Sequence, residues 1–520
     1  MQPRRGTDKM KILAIDDLVK RVNNLKGQGR KIVHCHGCFD LMHPGHIKYF
    51  QAAKKMGDIL LVTVTPDIYV DKGPGRPVFN EGLRAESIAA LECVDFVAIN
   101  QWPTAEETLR LLRPDIYVKG QEFEKLQDRT GKIQKEAAVA KEIGARLCFT
   151  HGAVFSSTAL INSHPEIIEN FLNIYSQEVK GFLKDFSKKY NFSEIKEKIN
   201  SLSGLRVMLV GDGIIDEYHY CEALGKSAKA NLVVNKYLGH EVFAGGAFAI
   251  ANHLSGLCSE IELVSLLGND PAREDFVRKS LKPNIKSRFF YRQDSPTVTK
   301  KRYINQYLNQ KMFEVNFLDE SYISARLESE VVKYLKASLP RYDLVLVSDF
   351  GHGFITDKVI QVIERLAVKF AVNTQINAAN AGYNMITKYH KPAYVCLDEP
   401  ELRLAAQERF ADIECVAKKV LKNAGADCLI VTLGKKGSLG INKNKELNRT
   451  PVFSSKVIDT VGAGDAFFAF TAPCVAQNMP LDLVSFIGNA VGALAVQIVC
   501  NKKPVEKYEL FEFIHTLLRR

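Results

Sequence analysis

The sequence predicts an α/β protein of two doubly wound parallel sheets joined by a helical connector, and three observations predict it. The chain is 520 residues long, more than one ordinary core supports, so two or three domains are expected. Short apolar runs that read as buried strands recur along it, each followed by a turn and a helical pattern, as parallel sheets require. Glycines and acids gather where those runs end, which is where open α/β sheets keep their ligand sites.

Composition removes several function classes. Hydrophobic residues make up 46% of the chain and charged ones 25%, and low-complexity tracts are absent from the sequence. No apolar run reaches the roughly 20 residues that cross a bilayer. The opening MQPRRGTDKMK has arginines without an apolar stretch behind them, so no secretory signal is expected. A net charge of +11 would permit nucleic-acid contact. The lysines are scattered, however, and many alternate with acids, as in Glu194-Ile-Lys-Glu-Lys. Anionic small substrates account for the excess, and neither a nucleic-acid nor a membrane partner is expected. Cysteines such as Cys93, Cys396 and Cys428 stand alone in apolar contexts, which fits buried thiols and a cytoplasmic protein.

Residues 1–30 read as an N-terminal extension and 31–163 as the first domain. Ile32-Val33 begins a short strand that Gly37 breaks, and His43-Pro-Gly-His46 opens an amphipathic helix. Asp58-Ile-Leu-Leu-Val-Thr-Val is the next buried strand, completing a β-α-β unit with two histidines near a helix N-terminus. Cys35-x-x-Cys38 with His43 and His46 could be a zinc site. The cysteines end a buried strand, and a zinc finger would separate the two pairs more widely, so no structural zinc is expected. Further along come a basic, glycine-rich loop, Lys72-Gly-Pro-Gly-Arg76, and a helix start at Asn80-Glu-Gly-Leu-Arg84. A strand ends in Lys119-Gly120, and hydroxyls at Ser156-Ser157-Thr158 open another helix.

Gly37-Cys-Phe-Asp40 followed by His43-Pro-Gly-His46 resembles the signature of the cytidylyltransferase branch of HxGH nucleotidyltransferases. That resemblance implies a Rossmann-like domain in which His43 and His46, with Lys72 and Arg84, stabilise charge on a nucleotide phosphate under attack. It implies nucleotide contacts from Gly37, Cys38, Phe39, Asp40, Lys119, Ser157 and Thr158.

Residues 164–203 carry helical periodicity without chemistry and read as a connector. From 204 to 520 a second domain begins with Leu205-Arg-Val-Met-Leu-Val-Gly-Asp212, and Asp216 follows in the next turn. Val242-Phe-Ala-Gly245-Gly246 turns into a helix. Strands ending at Asp349, Asp398 and Thr432 follow, the last two leading to Glu401 and to Gly434 and Gly437. Then comes Asp459-Thr-Val-Gly-Ala-Gly-Asp465. Gly462 and Gly464 allow a tight loop whose N–H groups open a helix, an anion cradle, and Asp465 in that positive field is expected to stay ionised and accept a proton. An anion hole beside a base is what phosphoryl transfer to an alcohol needs.

The string resembles the signature of ribokinase-like sugar kinases, and the domain as a whole is similar to them. The resemblance implies that Asp465 is the general base and that Gly462, Ala463 and Gly464 form the anion hole. It further implies that Glu401 orders Mg²⁺ directly or through water, and that Thr432, Gly434, Gly437 and Asn489 line the ATP site. Asp216, Gly245 and Gly246 would hold the acceptor sugar. Together the halves resemble bifunctional heptose-7-phosphate kinase/heptose-1-phosphate nucleotidyltransferases in reversed domain order.

That implies an enzyme of sugar-nucleotide synthesis. ATP would phosphorylate a sugar or sugar phosphate, and ATP or CTP would give a nucleotidyl group to a sugar 1-phosphate. A homodimer is expected. Departures fall at the acceptor end: Ala249 stands for an asparagine, Asn373-Thr-Gln375 for Asp-Pro-Lys, and His352 for a lysine before Gly353, while the Asn-x-x-Glu motif reads Asp398-Glu-Pro-Glu401. They leave open a monofunctional nucleotidyltransferase whose kinase domain only binds a ligand.

Overall fold

A computed structural model describes residues 11–70, 77, 79–121, 132–150, 175–293, 295–307, 310–378, 380–454 and 457–518. Lys72, Ser157 and Thr158 lie outside the described residues, as do residues 164–174 of the expected connector. The chain divides into two units, residues 1–174 with 515–520, and residues 175–514.

The first unit holds β1 (Ile32–Gly37), β2 (Ile59–Val64), β3 (Phe96–Ile99), β4 (Ile116–Gly120) and β5 (Arg146–Thr150). They form one sheet in the order β3-β2-β1-β4-β5, parallel at every pairing. Chain order reverses between β1 and β4, which opens a crevice at their carboxyl ends. Residues 15–27, assigned by sequence to an extension, form a helix of this unit. Ile15, Leu18 and Val22 pack on Ile32, Leu61, Ala98 and Leu112, burial worth about 1.5–3 kcal/mol for each large apolar side chain. Their spacing of three and four puts all three on one helical face.

The second unit is built on β6 (Arg206–Gly211), β9 (Glu260–Gly268), β10 (Ile285–Arg292), β13 (Leu344–Asp349), β14 (Phe370–Thr374), β15 (Tyr394–Asp398), β16 (Cys428–Thr432), β17 (Ser438–Asn442) and β18 (Leu447–Thr450). These nine run β10-β9-β6-β13-β14-β15-β16-β17-β18. The first seven are parallel, and antiparallel β17 and β18 close one edge. β6 and β13 are buried along nearly their whole length, which explains their unbroken apolar runs.

A separate four-stranded sheet, absent from the sequence expectation, comprises β7 (Gly213–Lys226), β8 (Val233–Gly246), β11 (Thr299–Asn305) and β12 (Gln310–Phe317), ordered β12-β11-β7-β8. Its strands mix charged and aromatic residues, a pattern that fits neither a core strand nor an amphipathic helix.

The described part of the connector is helical, at Gln177–Lys189 and Phe192–Ser201. These helices pack into the second unit. Phe186 stacks on Phe486 at 4.1 Å, and Tyr190 donates to Asp482 (2.8 Å), which also pairs with Lys189 (2.7 Å).

Candidate active sites

In the first unit the turn after β1 is held by Phe39, whose φ of +47° is strained for a non-glycine residue. Its ring folds back so closely that a Cβ at position 37 would lie 2.9 Å from it, so Gly37 is needed. Phe39 then packs on Phe50 and meets His46 edge-on at 5.5 Å.

His43 is the N-cap of the helix Pro44–Lys54, its Nδ1 accepting from the Gly45 N–H at 3.1 Å. An accepting Nδ1 puts the proton of a neutral imidazole on Nε2. His43 and His46 stack with centroids 3.8 Å apart. Asp40, buried, accepts from the Phe79 N–H (3.2 Å). Lys119 crosses from β4 to the carbonyl of His36 (3.4 Å) and pairs with buried Glu136 (2.7 Å). The loop that carries the histidines and the end of β4 that carries Lys119 thus leave adjacent, parallel strands at the same end of the sheet.

Cys35 points into the core beside Val33, Val62 and Val118, and burial pushes its thiol up to about 12. A thiol so hard to ionise is a poor metal ligand. Among the described residues no cluster of three or more His, Cys, Asp or Glu could hold a metal ion.

Arg84 departs from the sequence expectation. It is 1% exposed, and its guanidinium is spent inside the protein. It donates to the carbonyls of Phe79 (2.9 Å), Cys38 (2.5 Å) and Thr65 (2.7 Å) and pairs with Asp67 (2.6 Å). In this structure it clamps three loops around the site instead of reaching for phosphate. Arg84→Met is expected to destabilise the first unit by about 1–3 kcal/mol, because it leaves the carbonyls of Cys38, Thr65 and Phe79 without their donor, while the partly exposed Asp67 can turn to water. Trp102, the single tryptophan, packs in this unit, so its fluorescence during urea unfolding reads the loss; an unchanged midpoint would refute the clamp.

In the second unit the loop before the helix Ala463–Ala476 has Gly462 as N-cap with φ +85° and no side-chain cap. A Cβ at Gly462 would come 2.1 Å from Asn501, whereas one at Gly464 would meet nothing within 4 Å. The space beside Gly464 at the helix start is therefore open, while the Ala463 N–H is already taken by the Thr460 carbonyl (3.3 Å). Asp459 is a fastening, with its carboxylate accepting from Tyr218 (2.6 Å), Lys311 (2.7 Å) and the Cys500 N–H (3.0 Å). It ties strands β7 and β12 of the four-stranded sheet to this loop.

Asp465 is buried, and burial together with Asp216 pushes its carboxyl up to about 7, against the opposing pull of Gln375 and Lys300. The sequence expectation of a fully ionised Asp465 is thus corrected, because desolvation outweighs the helix field. Gln375 donates to Asp465 Oδ1 at 2.7 Å.

Asp216 is ion-paired with Arg302, which also pairs with Glu314 (2.7 Å). A Cβ at Gly245 would fall 2.0 Å from the Asp216 carboxylate, and Gly246 has φ +56°. Lys300, one residue pair along β11 from Arg302, is 8% exposed. Among the described residues no carboxylate lies within ion-pair distance of it. Its ammonium sits 5.8 Å above the Phe350 ring and is felt electrostatically by Asp465 and His352.

Glu401 shares a capping box with Asp398, and its oxygens accept from the N–H groups of Asp398 (2.8 Å) and Ile376 (3.3 Å). Burial, then the neighbouring Asp398, pushes it up to about 8. At the far edge Thr432 ends β16, and Gly434 and Gly437 take φ of +57° and +84° in the turn to β17. Asn489 lies beside that turn, its amide donating to Ser438 (2.6 Å) and to the Ser485 carbonyl (2.8 Å).

Sequence reasoning gave no role to Lys300, and it noted Gln375 only as a departure. The i, i+2 spacing of Lys300 and Arg302 in a β-branched run is the signal that could have found the first.

Comparison with known proteins follows the two units. A family profile for cytidylyltransferase-like proteins matches residues 34–163, and one for pfkB family carbohydrate kinases matches residues 205–501. Bifunctional protein HldE of Methylobacillus flagellatus is 42% identical over 115 residues, 22% of this chain and 24% of that protein. Bifunctional protein HldE of Geobacter metallireducens is 35% identical over 172 residues, 32% of each. The chain spans about a quarter to a third of the length of these curated relatives. Among solved structures, the ribokinase of Thermotoga maritima is 20% identical with a TM-score of 0.46, covering 60% of this chain and 99% of that one.

Proposed function

We propose, from the premise that this chain belongs to the pfkB family of carbohydrate kinases, that it is a bifunctional enzyme of sugar-nucleotide synthesis. The second unit phosphorylates a sugar or sugar phosphate with ATP. The first transfers a nucleotidyl group from ATP or CTP to a sugar 1-phosphate and releases pyrophosphate. The observation that carries the reading is Asp465, a carboxylate titrating near neutrality in the first turn of an uncapped helix. That is a proton acceptor beside an anion hole, and a protein that merely bound its ligand would need no such base.

In the kinase half Asp465 takes the acceptor hydroxyl proton while the 462–464 amides receive the transferring phosphoryl group. Lys300 offers it a buried cation, and Asp216 with the Gly245-Gly246 turn holds the sugar. Thr432, Gly434, Gly437 and Asn489 line the nucleotide. Glu401, whose two oxygens each accept a single backbone N–H, suits a Mg²⁺ that arrives with the nucleotide and keeps its waters. When bound, that ion would neutralise phosphate charge. In the transferase half His43 Nε2–H and His46 stabilise charge on the attacked phosphate, with Gly37, Cys38, Phe39, Asp40 and Lys119 around the nucleotide.

The chain acts in the cytoplasm, where nucleotide triphosphates are held; its eleven cysteines are all free thiols, and among the described residues no helix is long and apolar enough to cross a membrane. It works as a homodimer. Phe313, Val315 and Phe317 alternate along edge strand β12 and so share one face, at 52%, 40% and 45% exposure. A second copy would cover them, and a monomer mass by analytical ultracentrifugation would exclude this assembly.

The deciding experiment incubates the full chain with a panel of sugars and sugar phosphates and all four nucleotide triphosphates, and identifies products by mass spectrometry. A phosphorylated sugar and a nucleotide sugar are expected. No acceptor-dependent ATP consumption across the panel would reject the kinase half, and no nucleotide sugar would reject the transferase half.

A further inference from the structure

We propose that Gln375 is the positioning residue of the kinase half: its carboxamide holds one oxygen of Asp465 and turns the other toward the acceptor hydroxyl. The inference rests on the kinase reading above, in which Asp465 takes that proton.

Gln375 follows β14, at the carboxyl end of the sheet. Its Nε2 carries two protons, and both are spent, one on Asp465 Oδ1 (2.7 Å) and one on Asn373 Oδ1 (2.9 Å). Asn373 in turn donates to the Cys396 carbonyl on β15 (2.9 Å). The orientation of the carboxamide is therefore decided by its neighbours, since a flipped group would set its oxygen against a carboxylate. The backbone is held as well: the Gln375 N–H donates to the Asp349 carbonyl (2.8 Å), and its own carbonyl accepts from Asn384 (3.1 Å). One residue on, the Ile376 N–H holds Glu401. A single short stretch thus fixes both carboxylates of the reaction centre.

The groups facing Asp465 are Asp216 from β7, Lys300 from β11, Glu401 from the helix Glu399–Ala406, and Gln375. A cation at position 375 would orient the carboxylate but also weaken it as a base. A neutral donor orients it and leaves its basicity near neutrality. The sequence Asn373-Thr-Gln375 is therefore a rebuilt support for the base, and the departure from Asp-Pro-Lys is not a sign of decay.

The test uses the full chain with the acceptor found in the panel. Gln375→Leu is expected to lower kcat about tenfold through misplacement of the base. It should raise the ascending limb of the kcat/KM–pH profile by roughly half a unit to one unit, as a donor is lost, with the KM for ATP unchanged. Gln375→Lys should move that limb down. Wild-type kcat and an unmoved limb in Gln375→Leu would overturn the proposal.

If the wild type turns over no acceptor, the kinase reading itself fails. A melting-temperature cycle of Gln375→Leu, Asp465→Ala and the double variant then decides the contact. Non-additive shifts uphold the Gln375–Asp465 bond, and additive ones overturn it.

Discussion

Replacing His43 or His46 by alanine is expected to cut nucleotidyl transfer by roughly 10²–10³-fold each, the usual cost of removing one donor to developing charge. Sugar phosphorylation by the same chain should be unchanged. The geometry makes the expectation sharper for His43. Its Nδ1 is occupied by the Gly45 N–H, so Nε2 carries the proton of the neutral ring and is the nitrogen proposed as donor. His43→Asn loses that reach while keeping a capping side chain at the helix start, so it should stay folded yet be as inactive as His43→Ala. The rings stack at 3.8 Å, so each single alanine variant also loses a packing contact at the helix start. Wild-type transfer rates from the double alanine variant would remove both residues from the mechanism. The readout is release of pyrophosphate, followed beside ATP consumption in the kinase assay.

Asp465→Asn is expected to reduce acceptor phosphorylation by roughly 10²-fold or more, the ordinary contribution of a general base. An asparagine at 465 can still accept from Gln375 through Oδ1, so the local structure is kept and only the proton acceptor is lost. ATP binding should be nearly unaltered, because a carboxylate at the mouth of an anion hole contributes little attraction to a triphosphate. In the wild type, burial and Asp216 hold the carboxyl up to about 7. The base works only when ionised, so kcat/KM should rise with pH through that value and fall away below it. The ascending limb should be missing from what activity Asp465→Asn retains. Turnover undiminished in Asp465→Asn at any pH would refute the assignment.

The loops of both candidate sites were legible in sequence because their signals are local. Gly37 to His46 and Asp459 to Asp465 are contiguous strings, and a turn that needs glycine or a helix start that gathers anions is written in a few adjacent residues. The parallel sheets were legible for the same reason, since β6, β13 and β16 are unbroken apolar runs buried on both faces. The four-stranded sheet was not legible. Strands such as β12, exposed along nearly its whole length, carry no burial period for a sequence to reveal.

What the sequence alone determined is therefore the class of the sheets, the order of the two domains and the loops that could handle phosphate. Tertiary structure decided how each side chain is used. Arg84 could have reached a phosphate, but Cys38, 46 positions away, and Thr65 and Asp67 claim its guanidinium. Asp465 reads as an ordinary helix-start carboxylate until burial removes its water, and Gln375, 90 positions distant, becomes its partner. Lys300 is one cation among 70 lysines and arginines until β11 brings it within the electrostatic reach of Asp216 and Asp465. A carboxylate's basicity and a cation's availability depend on what lies within a few ångströms, and those neighbours come from remote parts of the chain.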